Sequence, residues 1–304
     1  MSSASEPQSE FVFQKDGVDY LKLCLEVTVY WAGSIYDRVD GILDFYEQSL
    51  GLLKKDLRQY LTMGVPRRIK KDTFEILPLW LTKPKARHDI ITITLDGATT
   101  RDGASDRAFI LRAIEPNKVG LLRLVLPVDF IVASATPFLE LAKSLVRNLD
   151  FSFGHAGFSF NWNDLGNLSH KAELELYPVG RRHTGIDLPN LNGMLFVIPK
   201  GIKCINWLTF LNAEYCERLG GLAQLREDLG KDINVHVLPK GVMIQAGERP
   251  EIGDVNRRRR LPRYRKVGKV LTPLRSPTHP PFLKVGGLIA DDDATQEWLA
   301  RFDS

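Results

Sequence analysis

Residues 20–31, YLKLCLEVTVYW, place an apolar side chain at every second position: Leu21, Leu23, Leu25, Val27 and Val29. A period of two puts all five on one face of an extended chain, so the segment reads as a half-buried strand that needs a sheet around it. Beyond the Gly33-Ser34 break the period changes. Ile35, Val39, Ile42, Tyr46, Leu50, Leu53 and Leu57 recur at three- and four-residue steps, which makes one apolar stripe along a long amphipathic helix.

The chain continues in the same mixed manner. Residues 60–88 carry Pro66, Pro78 and Pro84 among Phe74, Ile76, Leu79 and Trp80, a pattern of an ordered, packed connection broken by proline. Residues 90–95, 108–114 and 121–130 are strand-like and separated by the turn-rich GATTRDGASD and EPNKVG, an antiparallel meander. A second long helix is predicted after Ser134 or Thr136, with Pro137 in its first turn and Phe138, Leu141, Leu145 and Leu149 on its buried face. FSFGHAGFSFNW at 151–162 suits two short strands or one bulged strand. Residues 169–177 and 222–229 read as short helices, 194–198 as a buried strand, and 205–219 as a helix closed by Gly220-Gly221. Residues 233–238 and 242–246 flank Pro239-Lys240-Gly241, a hairpin signal.

This order predicts an α+β fold of antiparallel sheets with packed long helices, in two lobes. The expected divisions are a disordered leader at 1–14, an N-terminal lobe at 15–162, a C-terminal lobe at 163–250, and an extended, basic, proline-rich tail at 251–304 packed on the body.

The apolar fraction of 44% and charged fraction of 26% suit a chain that buries a sizeable core. The opening MSSASEPQSE lacks the basic start and apolar run of a secretory signal. The most apolar long stretch, 193–211, is broken by Pro199, Lys200 and Lys203, which rules out a membrane span there. Cys24, Cys204 and Cys216 have no paired spacing, so reduced, buried thiols and a cytoplasmic location are expected. Charge is uneven: Arg257 to Lys269 holds eight basic residues and no acidic one, and removing them from the net +4 leaves the remainder at −4.

No motif for a hydrolase elbow, a phosphate loop or a dinucleotide fold occurs, and no two of His88, His155, His170, His183, His236 and His279 stand four apart as paired metal ligands would. No catalytic residue, metal site or cofactor is therefore assigned, and binding is favoured over chemistry. Two constellations stand out. RRHTGIDL could gather Arg181, Arg182, His183 and Asp187 on a loop, although local ion pairs on a solvated surface are the plainer account. His155, between glycines and aromatics, could approach a ligand or simply pack in the core. The run Arg257, Arg258, Arg259 and Arg260, with Tyr264 as a stacking ring, supports an alternative as a nucleic-acid-binding protein. An unrecognised enzyme built from distant residues is a further alternative.

Three segments carry a resemblance: VYWAGSIYDRVDGILDFYEQSLG at 29–51, GHAGFSFNW at 154–162, and GIKCINWLTFLNAEYCERLGG at 201–221. They resemble the bacterial type VI secretion immunity proteins once grouped as a domain of unknown function, over about residues 15–250. The resemblance implies a cytoplasmic protein that binds a cognate secreted toxin, often a nuclease, and neutralises it by stoichiometric occlusion without catalysis. The expected partner is that toxin, with no membrane and no cofactor. An inhibitor of this kind needs charged and aromatic anchors rather than a reactive triad. Arg181, His183 and Asp187 are candidate contacts, as are Asp291, Asp292 and Asp293, which could supply an acidic face.

Overall fold

The structure, a computed structural model, describes residues 11–62, 64, 66–83 and 88–303. The predicted leader falls largely on residues 1–10, outside the described residues. Phe11 is buried, and the leader's last residues enter strand β1 (Val12–Lys15), which pairs with the long β2 (Val18–Ala32).

The alternating segment at 20–31 is the middle of β2. One edge of β2 takes β8 (Phe153–Asn161) from Lys22 to Tyr30, and the other takes β1 at its start and β7 (Val119–Leu126) from Leu25 to Ala32. Before β7 come α1 (Val39–Leu53), the short β3 (Gln59–Leu61) and β4 (Arg67–Arg68), α2 (Ile76–Thr82), β5 (Ile90–Asp96) and β6 (Ala108–Ile114); α3 (Thr136–Val146) joins β7 to β8. Later elements are α4 (Ser169–Arg182), α5 (Leu191–Val197), β9 (Leu208–Asn212), α6 (Ala213–Arg218), α7 (Gly221–Leu229), and the hairpin β10 (Asn234–Leu238) and β11 (Gly241–Gln245). All strands to this point form one antiparallel sheet of eleven, in the order β10-β11-β9-β8-β2-β7-β6-β5-β3-β4 with β1 on β2. The sheet is continuous across residue 162, where sequence places the boundary between lobes: β8 pairs directly with β9.

The two faces of the sheet differ. Register puts Leu25, Val27, Val29 and Trp31 with Leu126, Leu124, Leu122 and Gly120, and with Phe158 and Ala156, on one apolar face. A Cβ at Gly120 would lie 2.2 Å from Trp31 Cζ2, so only glycine leaves room for that indole. Helix α1 packs on this face, with Tyr46 edge-on to Phe109 at 4.9 Å, and α3 lies beside α1. On the other face, β2 presents Glu26 and Thr28, opposite Arg123 on β7 and His155 on β8. A strand lined with ionisable groups on its second face is stable only if that face is covered and every charge is paired. The cover comes from α4, α5 and the C-terminal segment.

Two local expectations change. Residues 194–198 are helical, because Asn190 caps α5 by accepting from the Gly193 N–H, and burial follows a helical period: Met194, Leu195 and Val197 inside, Phe196 exposed. The stretch at 205–219 splits into β9, paired on both edges, and α6, which starts where Asn212 accepts from the Tyr215 N–H. A short apolar run reads equally as strand or buried helix, and tertiary pairing decides.

Residues 251–303 are not extended throughout. They form α8 (Pro262–Leu271), the ribbon β12 (Leu283–Lys284) and β13 (Ala290–Asp291), and α9 (Asp292–Leu299). Tyr264, Val267 and Leu271 recur at helical spacing and are buried, with Tyr264 packed on Phe302 at 5.5 Å. Pro262 starts this helix, since a missing N–H costs nothing in a first turn. Among the described residues, no helix is long and apolar enough to cross a membrane.

Candidate functional site

Beneath the covered face lies a closed ionic network. Arg123 Nε donates to Glu26 Oε2 at 2.5 Å, and its other nitrogens donate to Asn161 Oδ1 (2.9 Å), the Phe160 carbonyl (2.7 Å) and Ser159 Oγ (3.3 Å). His155 Nε2 sits 3.0 Å from Glu26 Oε1 and 3.4 Å from Asp187 Oδ2. With carboxylates on both sides, that nitrogen carries the proton. Asp187 in turn accepts from Lys203 Nζ at 2.7 and 2.9 Å, and Lys203 also donates to the Leu188 carbonyl. The Lys203 ammonium lies 5.2 Å from the Trp298 ring.

Glu26, Arg123, His155 and Asp187 are each 1% exposed, and Lys203 is 2%. Burial alone would raise the Glu26 carboxyl, but Arg123 and His155 bring it below its ordinary value. Burial opposes Asp187 in the same way, and Lys203, His155 and Arg301 hold it well below the carboxylate range. For His155, burial pushes downward and the two carboxylates overcome it, so the imidazole is raised. Two carboxylates balanced by Arg123 and Lys203, with a histidine between them, make a structural clasp joining β2, β7 and β8 to the loop at 187 and the segment at 203.

Glu26, His155 and Asp187 also have ligand types and spacing that a cation could use, their ligand atoms lying within 4.8 Å of one another. Their lone pairs already face Arg123 and Lys203, so an ion would have to displace buried cations. General acid–base work by His155 meets a similar barrier, because the ring does not reach solvent and Nδ1 has no partner among the described residues.

A cleft of about 290 Å³ lies over the β5–β8 part of this face, and Arg123 is in its lining. Its floor includes Thr94, Ile110, Arg112, Arg123 and Asn161; Trp162 and Asp164, then Glu173 and Leu176 of α4, Leu191 and Asn192 of α5, and Phe282, Lys284 and Ala290 of the ribbon form its walls. Charges here are largely paired: Arg112 with Asp164 at 2.7 Å and Lys284 with Glu173 at 2.5 Å. Asp96, also in the lining, is pushed up to about 6 by burial. The cleft thus presents amides, ion pairs and rings, which suit recognition; Arg123 is in its lining, and Glu26, His155 and Asp187 are not.

The residues singled out from sequence part company. Arg181 and Arg182 end α4, Arg182 binding Asp254 at 2.9 Å. His183 is buried, its Nδ1 2.8 Å from the Gly253 carbonyl and its ring edge-on to Phe11, whereas Asp187 turns to His155 and Lys203. The loop cluster therefore does not assemble. Asp291 caps α9 by accepting from the Ala294 N–H at 2.8 Å, with Asp292 and Asp293 exposed in the first turn, where the helix dipole favours negative charge. Arg257, Arg258, Arg259 and Arg260 are exposed on a tight turn in which Arg258 has φ +54°. Tyr264 faces the core, its hydroxyl accepting from the Glu251 N–H, and offers no ring to a base.

Residues 85–302 match the TsiV family, whose description is type VI immunity for VRR-NUC. The fold is similar to a solved Pseudomonas aeruginosa T6SS protein, PA0821, with a TM-score of 0.83 at 20% identity, covering 96% of this chain and 85% of that one. None of the curated proteins matches the sequence.

Proposed function

This chain belongs to the TsiV family, type VI immunity for VRR-NUC, and from that premise we propose that it binds its VRR-NUC toxin, a nuclease, and neutralises it by stoichiometric occlusion in the cytoplasm. The observation that carries the reading beyond the family is the sealing of the one convergence of acids and histidine among the described residues. Glu26, His155 and Asp187 are spent on Arg123 and Lys203, are each 1% exposed, and do not line the cleft. A protein whose reactive groups are locked away, and whose accessible cleft is lined by paired charges, amides and rings, is suited to gripping a partner and not to turnover.

Co-expression with its VRR-NUC toxin tests this. Rescue of growth and a stable complex of fixed stoichiometry are expected. Killing that persists despite soluble expression of this chain, with no complex on size exclusion, would sink the proposal.

A second reading draws on the exposed turn at 257–260, whose four arginines present positive charge that could hold a polyanion. It expects salt-steep binding of DNA that Arg257→Ala, Arg258→Ala, Arg259→Ala and Arg260→Ala together abolish. Binding insensitive to salt would count against it.

A further inference from the structure

We propose that the tip of the β12–β13 ribbon, with the acidic start of α9 beside it, is the docking surface for the toxin's basic, nucleic-acid-binding face; this rests on the immunity reading above. Lys284 and Ala290 both line the cleft, so the residues between them overhang its rim. Of these, Val285 is 49% exposed, Leu288 74% and Ile289 87%, the last two being the most exposed large apolar side chains among the described residues. Adjacent exposed aliphatics bring no benefit to a free protein and raise its tendency to associate, which marks them as a contact surface.

The base of the ribbon is firmly held. Leu283 is fully buried, Thr295 Oγ1 accepts from the Phe282 and Leu283 N–H groups at 3.1 and 3.2 Å, and Lys284 is tied to Glu173. Only the tip, with Gly286 at φ +68° and open space around Gly286 and Gly287, is free to adapt. A fixed stem limits the conformational freedom lost on binding, while the glycines let the two aliphatics settle into a partner's hollow.

Charge identifies the partner. Asp291, Asp292 and Asp293 follow the tip directly, and none of them is in an ion pair among the described residues. A nuclease must present positive charge where it holds the phosphate backbone. An aliphatic tip flanked by three carboxylates fits that surface and repels nucleic acid, so occupying it excludes substrate. The basic turn at 257–260 has the opposite sign and belongs to no such contact.

The test titrates the catalytically inactivated VRR-NUC toxin into the full chain and its variants. Leu288→Asp with Ile289→Asp is expected to weaken affinity by about thirtyfold or more, the loss typical of a central apolar anchor. Asp292→Lys with Asp293→Lys is expected to slow association by about tenfold at low salt and flatten its salt dependence. Leu52→Asp, an exposed position on α1, should change neither. All five positions are exposed, and a native circular-dichroism spectrum with a cooperative melt will show that each variant folds. If the wild type fails to bind the toxin, the immunity reading falls and this surface with it. If the wild type binds and the tip variant binds equally well, the docking surface alone is wrong. A wild-type dimer that the tip variant dissolves, with toxin affinity unchanged, would overturn it too and place a second copy on the tip.

Discussion

Replacing Glu26 by Gln keeps the shape of the side chain and removes its charge, so it isolates the electrostatic part of the buried clasp. Oε2 serves Arg123 at 2.5 Å and Thr28 at 3.2 Å, and Oε1 serves His155 at 3.0 Å. With the carboxylate gone, a guanidinium that is 1% exposed keeps three neutral acceptors and no counter-charge. Breaking a buried pair from one side costs about 3–5 kcal/mol. An unfolding entropy of about 2.1 cal/mol/K per residue gives about 0.6 kcal/mol/K for this chain, so the midpoint should fall by about 5–8 °C. Thermal melting by circular dichroism near neutral pH reads this directly. Arg123→Met should be similarly destabilised, because it strands Glu26. The combination Glu26→Leu with Arg123→Met should lose less than the single changes added together, since an apolar pair has no desolvation penalty to recover. Glu26→Gln and Arg123→Met proteins that melt within about 1 °C of the wild type would refute the idea that these charges are paired and desolvated.

Stability should also depend on pH from both sides. His155 is raised in the folded state, so its contribution is complete below the ordinary imidazole value and is lost as pH rises through the folded one; His155→Asn should flatten that alkaline loss. Glu26 and Asp187 are lowered, so their contribution is present above ordinary carboxylate values and disappears as pH falls through the folded ones. His279 is lowered to about 4 by burial, so the unfolded chain takes up a proton the folded one refuses, and stability declines as pH falls from 6.5 towards 4. His279→Gln should remove that decline, as denaturant midpoints measured across pH 4–8 would show. Gly120→Ala places a methyl against the Trp31 ring and should lower stability by about 1–3 kcal/mol, the usual range for overpacking; an unchanged midpoint would mean the indole has another place to sit.

Much of the architecture was legible in the chain. Period-two alternation at 20–31 gave β2, and the stripe from Ile35 to Leu57 contains α1, which is shorter at both ends. The meander read at 90–130 holds β5, β6 and β7, with β7 ending at Leu126 and 128–131 turning into a short helix, and the turn at Pro239-Lys240 was marked by its residues. The segments that resemble type VI immunity proteins pointed to the family that residues 85–302 match. The clasp left a fainter trace. Glu26 and Thr28 sit at the polar positions of an alternating strand, where solvent exposure is the usual outcome, and Arg112 and Arg123 interrupt two otherwise apolar strands. A charge in the middle of an apolar strand calls for a partner, but nothing local says which one.

The sequence by itself determined the periods of the long segments, and with them that 20–31 is a strand, that 39–53 is a helix, and which face of each is apolar, because a period depends only on neighbours along the chain; the short apolar runs at 194–198 and 205–219 it left to tertiary pairing. Tertiary structure alone decided that Glu26, Arg123, His155, Asp187 and Lys203 meet, that Tyr264 turns inward, and that Leu288 and Ile289 remain in water. The physical reason is that a charge or a ring is assigned to core or surface by what covers it. The cover over the second face of β2 comes from residues more than a hundred positions away.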